Sequence, residues 1–225
     1  KTDSMSEFNP RIPYILKTLE SLYPDAVPEL HFTNPYETLV ATMLSAQSTD
    51  KQVNKVTPAV FRDFPTVSSM AQTTPEILFP YVKSSGFASK AANIVMAARK
   101  IMAEYGGEVP GDLDRLTSLP GVGRKTANVV LANAFHIPAM AVDTHVFRVS
   151  NRLGLASAGS IEKTERQLMH NIPREDWIRA HHWLIYHGRR VCKAQRPLGG
   201  TCALRDVCLC VKGGSIGTTN ARHHQ

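Results

Sequence analysis

A tight turn at Pro120 to Gly123 separates two stretches of this chain whose apolar residues recur at helical spacing. The two glycines of this turn permit backbone conformations that other residues avoid, so the chain can reverse direction within a few residues. Such a turn points backbone N–H groups outward, where a phosphate can accept their hydrogen bonds. The sequence therefore predicts a helix-hairpin-helix, and its phosphate-binding residues would be Gly121, Val122, Gly123 and Arg124.

Helical periodicity extends over most of the chain, and no alternating run of the strand type competes with it. The only apolar stretch that could form a strand, Ile137 to Val142, is too short and too isolated to build a sheet. The sequence therefore predicts an all-α fold. The predicted helices cover residues 12–22, 35–44, 52–61, 74–82, 90–105, 112–118, 125–135, 143–153, 161–172 and 176–187.

The composition is that of a globular protein. With 225 residues, of which 43% are hydrophobic, the chain can bury the core of one large domain or of two small ones. No apolar run approaches the ~20 residues that a membrane helix needs, and Lys1 to Phe8 lack the apolar stretch of a secretory signal. We therefore expect a cytoplasmic location.

Basic charge is concentrated in the C-terminal part of the chain. The formal net charge is +7, and the residues from His187 onward carry a single acid, Asp206, whereas Lys1 to Leu30 holds more acids than bases. This asymmetry fits a surface that binds a polyanion, although a solvated basic tail would give the same count. The basic residues of this part are Arg189, Arg190, Lys193, Arg196, Arg205, Lys212 and Arg222.

Lys125 stands two residues after the turn, and Asp143 stands eighteen positions later, before another helical stretch. A lysine amine is a nucleophile only when it is unprotonated; the positive end of its helix and the adjacent Arg124 both disfavour the protonated form. The N-terminal N–H groups of the next helix would keep Asp143 ionised. A simpler interpretation also exists for each residue: an exposed helix lysine and an N-cap aspartate.

The segment from Leu116 to Arg152 resembles the core of the endonuclease III family, which are bifunctional DNA glycosylases that remove oxidised pyrimidines. The motifs that carry the resemblance are Leu119 to Lys125 and Ala141 to His145. Similar segments elsewhere extend the likeness over about Asn34 to Cys208. They are Leu44 to Asp50, Gly86, Ser89 to Ala91, Glu108 to Pro110, His182 to Leu184 and His187 to Arg189.

This resemblance implies two helical lobes with a DNA cleft between them. The first would be a barrel-like domain of six helices at residues 28–137, containing the hairpin. The second would combine residues 1–27 with residues 138–225 and carry a C-terminal iron–sulfur loop. The implied partner is double-stranded DNA with a damaged base or an abasic site, bound by a monomer associated with the nucleoid.

The resemblance also assigns the chemistry. Lys125 would attack the anomeric carbon of the damaged nucleotide, expel the base and form an imine, which permits β-elimination of the 3′ phosphate. Asp143 would stabilise positive charge on the sugar. Two alternatives remain open: a monofunctional glycosylase, whose known examples lack the lysine, and a non-catalytic DNA-binding or redox module.

The damaged nucleotide must leave the duplex, which opens a gap in the base stack. By resemblance, Gln47 and Phe87 would fill this gap. The loop from Gly86 to Lys90 is one residue shorter than the usual wedge loop of the family, and it carries an aromatic residue that could stack on the bases. The alternative for Phe87 is packing in the protein core.

All four cysteines lie near the C-terminus, at Cys192, Cys202, Cys208 and Cys210. In a cytoplasmic protein such clustering favours a metal site over disulfides. The family signature, Cys-x6-Cys-x2-Cys-x5-Cys, holds a 4Fe-4S cluster, and Gly199 occupies its second position here, so Cys210 is the candidate replacement ligand. We expect a retained cluster, with zinc or an empty site as alternatives.

By wrapping residues 193–201, the cluster would hold Lys193 and Arg196 towards DNA phosphates. The histidines His181, His182 and His187 alternate with apolar residues along one predicted helix, so we expect them to pack rather than to bind metal.

Overall fold

The computed structural model describes residues 10–211, and in this range it contains eleven α-helices, short 3-10 turns and no strand. The all-α prediction is therefore confirmed. In chain order, the helices are α1 Arg11–Leu22, α2 Pro35–Ser45, α3 Asp50–Asp63, α4 Val67–Gln72, α5 Pro75–Val82, α6 Ala88–Glu104, α7 Leu113–Thr117, α8 Arg124–Phe135, α9 Thr144–Leu153, α10 Ile161–Asn171 and α11 Trp177–Arg190.

The chain forms two compact units. One is the continuous segment Pro28–Ala139, and the other combines the residues before Pro28 with those after Ala139. The N-terminal helix α1 thus belongs to the same unit as α9, α10 and α11. The basic residues Lys212 and Arg222 lie outside the described residues, so the structure shows only part of the basic C-terminal region.

Capping side chains define where most helices begin. The N-cap side chain accepts a hydrogen bond from a backbone N–H at the start of α2, α3, α4, α5, α7, α9 and α10. Proline, which has no N–H to leave unpaired, occupies the first position of α2 and α5. These start signals explain why helix starts in the sequence could be placed within a few residues.

The helix α4 was missing from the sequence prediction. Thr66 and Ser69 form a reciprocal capping box around its start, and Val67 and Met70 are buried. Six residues are too few for helical periodicity to stand out, and serine replaces the glutamate or glutamine usual at the third position of such a box. The described part of the unit Pro28–Ala139 therefore has seven α-helices, one more than the predicted six.

Within the unit Pro28–Ala139, α2 packs against α8, and α4 and α5 pack against α6. The α2 helix is hydrophobic on nearly all sides, because every residue from Thr38 to Leu44 is buried. The buried residues of α8 include Ala127, Val130 and Leu131, so α2 and α8 both contribute to the core of this unit.

In the other unit, α9 packs against α11, and α1 packs against α11. Close contact of α9 and α11 depends on Gly188, where a Cβ would lie 3.1 Å from His145 Cβ. The core includes Ile15, Leu19, Val146, Val149, Leu153 and Leu184. Among the described helices, none has both the length and the apolar character needed to cross a membrane.

Candidate active site

The predicted hairpin lies between α7 and α8. Val122 donates its backbone N–H to the Leu119 carbonyl at 3.1 Å, which closes the turn. Gly121 adopts a φ of 75°, and a Cβ at this position would lie 2.7 Å from Asn93 Cβ, so only glycine fits. The Val122 side chain is buried. Val122 therefore anchors the turn through both its side chain and its N–H, so this N–H is used within the turn and not, as the sequence predicted, for a phosphate.

The first turn of α8 has no side-chain cap. Its N-cap residue, Gly123, offers no side chain that could accept the N–H groups there. The helix dipole adds positive potential at the same end. Gly121, Gly123 and Arg124 are exposed. A phosphate is the type of ligand that suits such a helix end.

Lys125 is the second residue of α8, and it is exposed. Its amine is therefore on the first turn of the helix, next to the glycine N-cap. A polynucleotide whose phosphate binds at this helix end would have its sugars within the range of a flexible lysine side chain. The first turn of α8 thus places an exposed lysine beside a helix end of the type that suits a phosphate.

Asp143 is the N-cap of α9 and is half-buried. Its Oδ1 accepts the N–H of Val146 at 2.7 Å. The carboxylate therefore has the orientation of an N-cap, as the sequence predicted. An N-cap role does not exclude catalysis, because a carboxylate has more acceptor sites than this one hydrogen bond uses.

The chain before Asp143 is held by α11. The residues Ala139 to Val142 are buried, and the Ala141 carbonyl lies 2.8 Å from His181 Nδ1. Because a carbonyl only accepts, Nδ1 carries the proton of His181. Burial lowers the pKa of His182, its neighbour, to about 3, so His182 is neutral at pH 7. The predicted packing role of these two histidines is consistent with this geometry.

The two loops predicted to enter the DNA stack are exposed at their tips. Gln47 follows α2 and adopts a φ of 59°, which is uncommon for a residue other than glycine. Phe87 is the N-cap residue of α6 and is 73% exposed. Core packing of Phe87 is therefore excluded, and an aromatic ring is presented to solvent on this surface.

The four cysteines line one cavity of about 60 Å³. Cys192 and Cys208 are buried, Cys202 is half-buried and Cys210 is exposed, and all four are free thiols. Gly199 lines the same cavity. Among the described residues, no three His, Cys, Asp or Glu side chains form a group that could hold a metal ion. The thiols thus surround a space without converging on a single point.

Two residues next to the thiols were not predicted from the sequence. Arg152 Nη1 lies 3.5 Å from Cys192 Sγ, and His187 Nε2 lies 3.6 Å from Cys202 Sγ. His187 is buried, and its Nδ1 is 3.0 Å from the Tyr23 hydroxyl. Burial raises the pKa of the Cys202 thiol, which favours its protonated form in the absence of a metal. Sequence spacing gives no signal for such contacts, because they join distant segments.

Lys193 and Arg196 lie in the exposed segment that follows Cys192. Arg152 of α9 holds this segment, donating to the Lys193 carbonyl at 2.7 Å and to the Ala194 carbonyl at 3.3 Å. Arg148 of α9 similarly donates to the Cys192 carbonyl at 3.1 Å. The basic segment is therefore supported by α9, the helix that Asp143 caps.

The chain has many relatives in sequence. Residues 40–174 match the family model of the HhH-GPD superfamily base excision DNA repair protein. Endonuclease III of Synechocystis sp. is 48% identical over 206 residues, which cover 91% of this chain and 94% of the relative. Endonuclease III of Escherichia coli is 44% identical over 195 residues, which cover 86% of this chain and 92% of the relative.

Solved structures show the same fold. A trapped covalent intermediate of an endonuclease III with DNA has a TM-score of 0.86 and 45% sequence identity, covering 90% of this chain and 96% of that one. A thermostable thymine-DNA glycosylase, at 22% identity and a TM-score of 0.80, shares the fold. The chain belongs to the HhH-GPD superfamily of base excision DNA repair proteins and, within it, to the endonuclease III family.

Proposed function

We propose that Lys125 is the nucleophile and Asp143 its carboxylate partner in a DNA glycosylase that excises oxidised pyrimidines and then nicks the strand. Membership of the endonuclease III family makes the chain a base excision repair glycosylase and AP lyase. The observation that carries the assignment of Lys125 is its exposed position in the first turn of α8, directly after the hairpin and its glycine N-cap. A phosphate bound there would bring the DNA backbone to the amine.

The proposed reaction has two stages. The neutral Lys125 amine bonds to C1′ of the extrahelical nucleotide, the glycosidic C–N bond breaks, and the base leaves with the bonding electrons and takes up a proton. Loss of the amine proton and opening of the sugar ring then give an imine. The imine acidifies the C2′ proton, so a base removes it and the C3′–O bond breaks, which releases the 3′ phosphate.

Asp143 would have two roles in this reaction, electrostatic stabilisation and proton transfer. Its carboxylate stabilises the positive charge that develops on the sugar when the base leaves, and it accepts a proton from the attacking amine. Its hydrogen bond to Val146 fixes the carboxylate at the start of α9 before substrate binds. Asparagine caps helices as well as aspartate does, so the Asp143→Asn variant keeps the cap and loses the charge.

Abasic-site DNA tests the assignment. We expect wild-type protein to cleave the strand at the site, and Lys125→Ala to lose about 10³-fold or more of this activity. We expect Asp143→Asn to lose about 10²-fold to 10⁴-fold, with an unchanged melting temperature. Lys163→Ala is the control, because Lys163 is an exposed lysine in the first turn of α10. Undiminished cleavage by Lys125→Ala, or equal loss in Lys163→Ala, would contradict the role of Lys125.

We also propose that Cys192, Cys202, Cys208 and Cys210 hold a 4Fe-4S cluster. Such a cluster binds one thiolate at each of its irons, so its ligands surround a space, as these four thiols surround their cavity. A mononuclear zinc site would require them to converge. When bound, the cluster would fix the segment that carries Lys193 and Arg196.

Cys210 is the proposed substitute for the cysteine that Gly199 replaces. Both residues line the cavity, and a Cβ on Gly199 would meet only Val211, at 3.9 Å. We expect about four iron atoms per purified chain with absorbance near ~400 nm, and a loss of both in Cys210→Ala. Adding Gly199→Cys to this variant should restore them. Full iron content in Cys210→Ala would exclude Cys210 as a ligand.

We further propose that the protein acts as a monomer on damaged or abasic duplex DNA, in the cytoplasm at the nucleoid. Gly121, Gly123 and Arg124 would bind one phosphate and Lys193 and Arg196 others, while Gln47 and Phe87 would enter the base stack. Light scattering of the purified protein with and without DNA tests the monomeric state, and a dimer mass would contradict it.

A further inference from the structure

A single side chain joins the two loops that carry Gln47 and Phe87. Lys90, in the first turn of α6, donates from Nζ to the Leu44 carbonyl at 2.8 Å and to the Ser85 carbonyl at 2.5 Å. Leu44 is three residues before Gln47, and Ser85 is two residues before Phe87. The amine of Lys90 therefore connects the base of one loop to the base of the other.

Both acceptors are carbonyls at the C-terminal ends of helices. Leu44 is in the last turn of α2, and Ser85 ends the 3-10 helix Lys83–Ser85. Carbonyls at such ends lack partners within the helix, so an ammonium group suits both, and the dipole of α2 adds negative potential at the Leu44 carbonyl. Burial lowers the pKa of Lys90, which is consistent with an amine drawn into the protein.

Gly86 makes room for this contact. Its φ is 146°, and a Cβ on Gly86 would lie 2.8 Å from both Cε and Nζ of Lys90. The loop therefore passes so close to the lysine that a side chain at Gly86 would displace it. One further hydrogen bond, from Gln52 Nε2 to Ser84 Oγ at 2.8 Å, ties the same 3-10 helix to α3.

We propose that Lys90 is a positioning residue that holds the Gln47 and Phe87 loops at a fixed separation, so that both side chains enter the DNA stack together. The proposal rests on the proposed role of Gln47 and Phe87. Lys90 itself faces protein carbonyls, so it is assigned no contact with DNA. Its contribution is to keep two exposed loops at a fixed separation before DNA binds.

This role predicts a dependence on how firmly the target nucleotide is paired. Extrusion of a paired nucleotide costs a few kcal/mol. Protein side chains that fill the gap left in the base stack offset part of that cost. A nucleotide opposite a gap or in an unpaired bubble is already free of this cost. Loss of the fixed separation between the two loops should therefore impair excision from a duplex much more than excision from an unpaired site.

The test uses the full-length protein with iron bound, the Lys90→Met variant, and one oxidised pyrimidine placed either in a perfect duplex or in a short bubble. Methionine keeps the length and apolar stem of lysine and removes the amine. We expect single-turnover excision from the duplex to fall about tenfold or more, and excision from the bubble to change less than about twofold, as expected when only the extrusion step is affected. A 2-aminopurine next to the lesion should report slower nucleotide extrusion.

Lys83→Met is the matched control, because Lys83 is an exposed lysine of the same 3-10 helix. It removes the same charge without breaking either hydrogen bond, so we expect equal small effects on the two substrates. Gly86→Ala provides a second route, since its Cβ would push the Lys90 amine away, and it should reproduce the duplex-specific loss.

The outcomes distinguish a failure of the Lys90 proposal from a failure of the proposed roles of Gln47 and Phe87. Lys90→Met with wild-type rates on both substrates, or with equal losses on both, would overturn the positioning role whatever Phe87→Ala does. If Lys90→Met and Gly86→Ala both fail to fold, Lys90 is structural and the proposal is also overturned. Phe87→Ala and Gln47→Ala tested together, if active on the duplex at wild-type rates, would instead reject the proposed wedge residues.

Discussion

Gly121 shows how a single residue fixes the hairpin. Its positive φ of 75° is strained for any residue with a Cβ, and the Asn93 side chain fills the space where that Cβ would be. Gly123, two residues later, has open space around it and an ordinary φ of −87°. Of the two glycines in this turn, Gly121 therefore cannot carry a side chain without strain and a clash, whereas Gly123 has room for one.

We predict that Gly121→Ala lowers the free energy of unfolding by about 2 kcal/mol or more, because strain and a steric clash add. For Gly123→Ala we expect a loss below about 1 kcal/mol, from the weaker N-cap preference of alanine. Chemical denaturation of the two variants measures both values. Equal losses would mean that the close approach to Asn93 is not what the turn depends on.

Residues differed in how well the sequence predicted them. Gly121 and Lys125 stand in one short motif, and local spacing is enough to place them at a turn and at a helix start. Lys90 could not be recognised in this way, because one of its acceptors, the Leu44 carbonyl, is 46 positions away. The contact of His187 with Cys202 was also missed, since alternation with apolar residues predicts burial and not partners.

The helix α9 links the proposed catalytic carboxylate to the basic segment. Asp143 caps its first turn, and Arg148 and Arg152 of the same helix donate to backbone carbonyls of the segment 192–194. Guanidinium groups are suited to this task, because they carry several donors in a fixed plane. A change in the position of α9 would therefore move both Asp143 and Lys193.

We predict that Arg152→Ala loosens the segment 192–196 and weakens DNA binding. The variant loses hydrogen bonds to Lys193 and Ala194, so backbone amides there should exchange faster with solvent. If Lys193 and Arg196 each contact a phosphate, the salt dependence of DNA affinity should fall by up to about two counterions. Arg166→Ala, on the exposed side of α10, is the control. An unchanged salt slope in Arg152→Ala would contradict this role for α9.

Helix prediction succeeded where a long amphipathic stretch and a capping residue coincide, as in α3 with Thr49 and α10 with Ser160. It failed for α4, whose stability comes from packing against α6 and not from its own six residues. The cysteine cavity could not be derived from spacing alone either. Its shape depends on Gly199 and Cys210 facing the same space, which tertiary structure decides.

At the scale of the whole molecule, the two units have separate cores. The unit Pro28–Ala139 holds the hairpin, Lys125 and the loops of Gln47 and Phe87, whereas the other unit holds Asp143 and the cysteines. The two residues to which the proposed chemistry is assigned, Lys125 and Asp143, therefore belong to different units.

We predict that removing the iron of the proposed cluster by chelation raises hydrogen exchange in residues 187–211 and in the facing part of α9, and leaves α2, α6 and α8 unchanged. The reason is that all four cysteines belong to one unit, and Cys192 and Cys208 lie in its core. Mass spectrometry measures the hydrogen exchange of each segment with and without the metal, and the two sets of rates are compared. Exchange that rises equally in both units would show that they unfold together.

We predict that acid destabilises the unit that contains His182. Its pKa is lowered from 6.5 to about 3 because of burial, so the unfolded chain binds a proton between these values and the folded chain does not. The contribution of His182 to the free energy of unfolding is therefore fully present above pH 6.5. It is lost as the pH falls towards 3, by up to about 1.4 kcal/mol per pH unit. Unfolding of His182→Gln should show a shallower pH dependence, and an identical one would contradict the assignment.

The central claim is that the Lys125 amine bonds covalently to the sugar of the damaged nucleotide. Borohydride reduction during the reaction, followed by protease digestion and mass spectrometry of the protein–DNA adduct, tests it most directly. We predict an adduct on the peptide that contains Lys125, its absence in Lys125→Ala, and its persistence in Lys163→Ala. Trapping of equal yield in Lys125→Ala, or an adduct located on another residue of the wild-type protein, would contradict the claim.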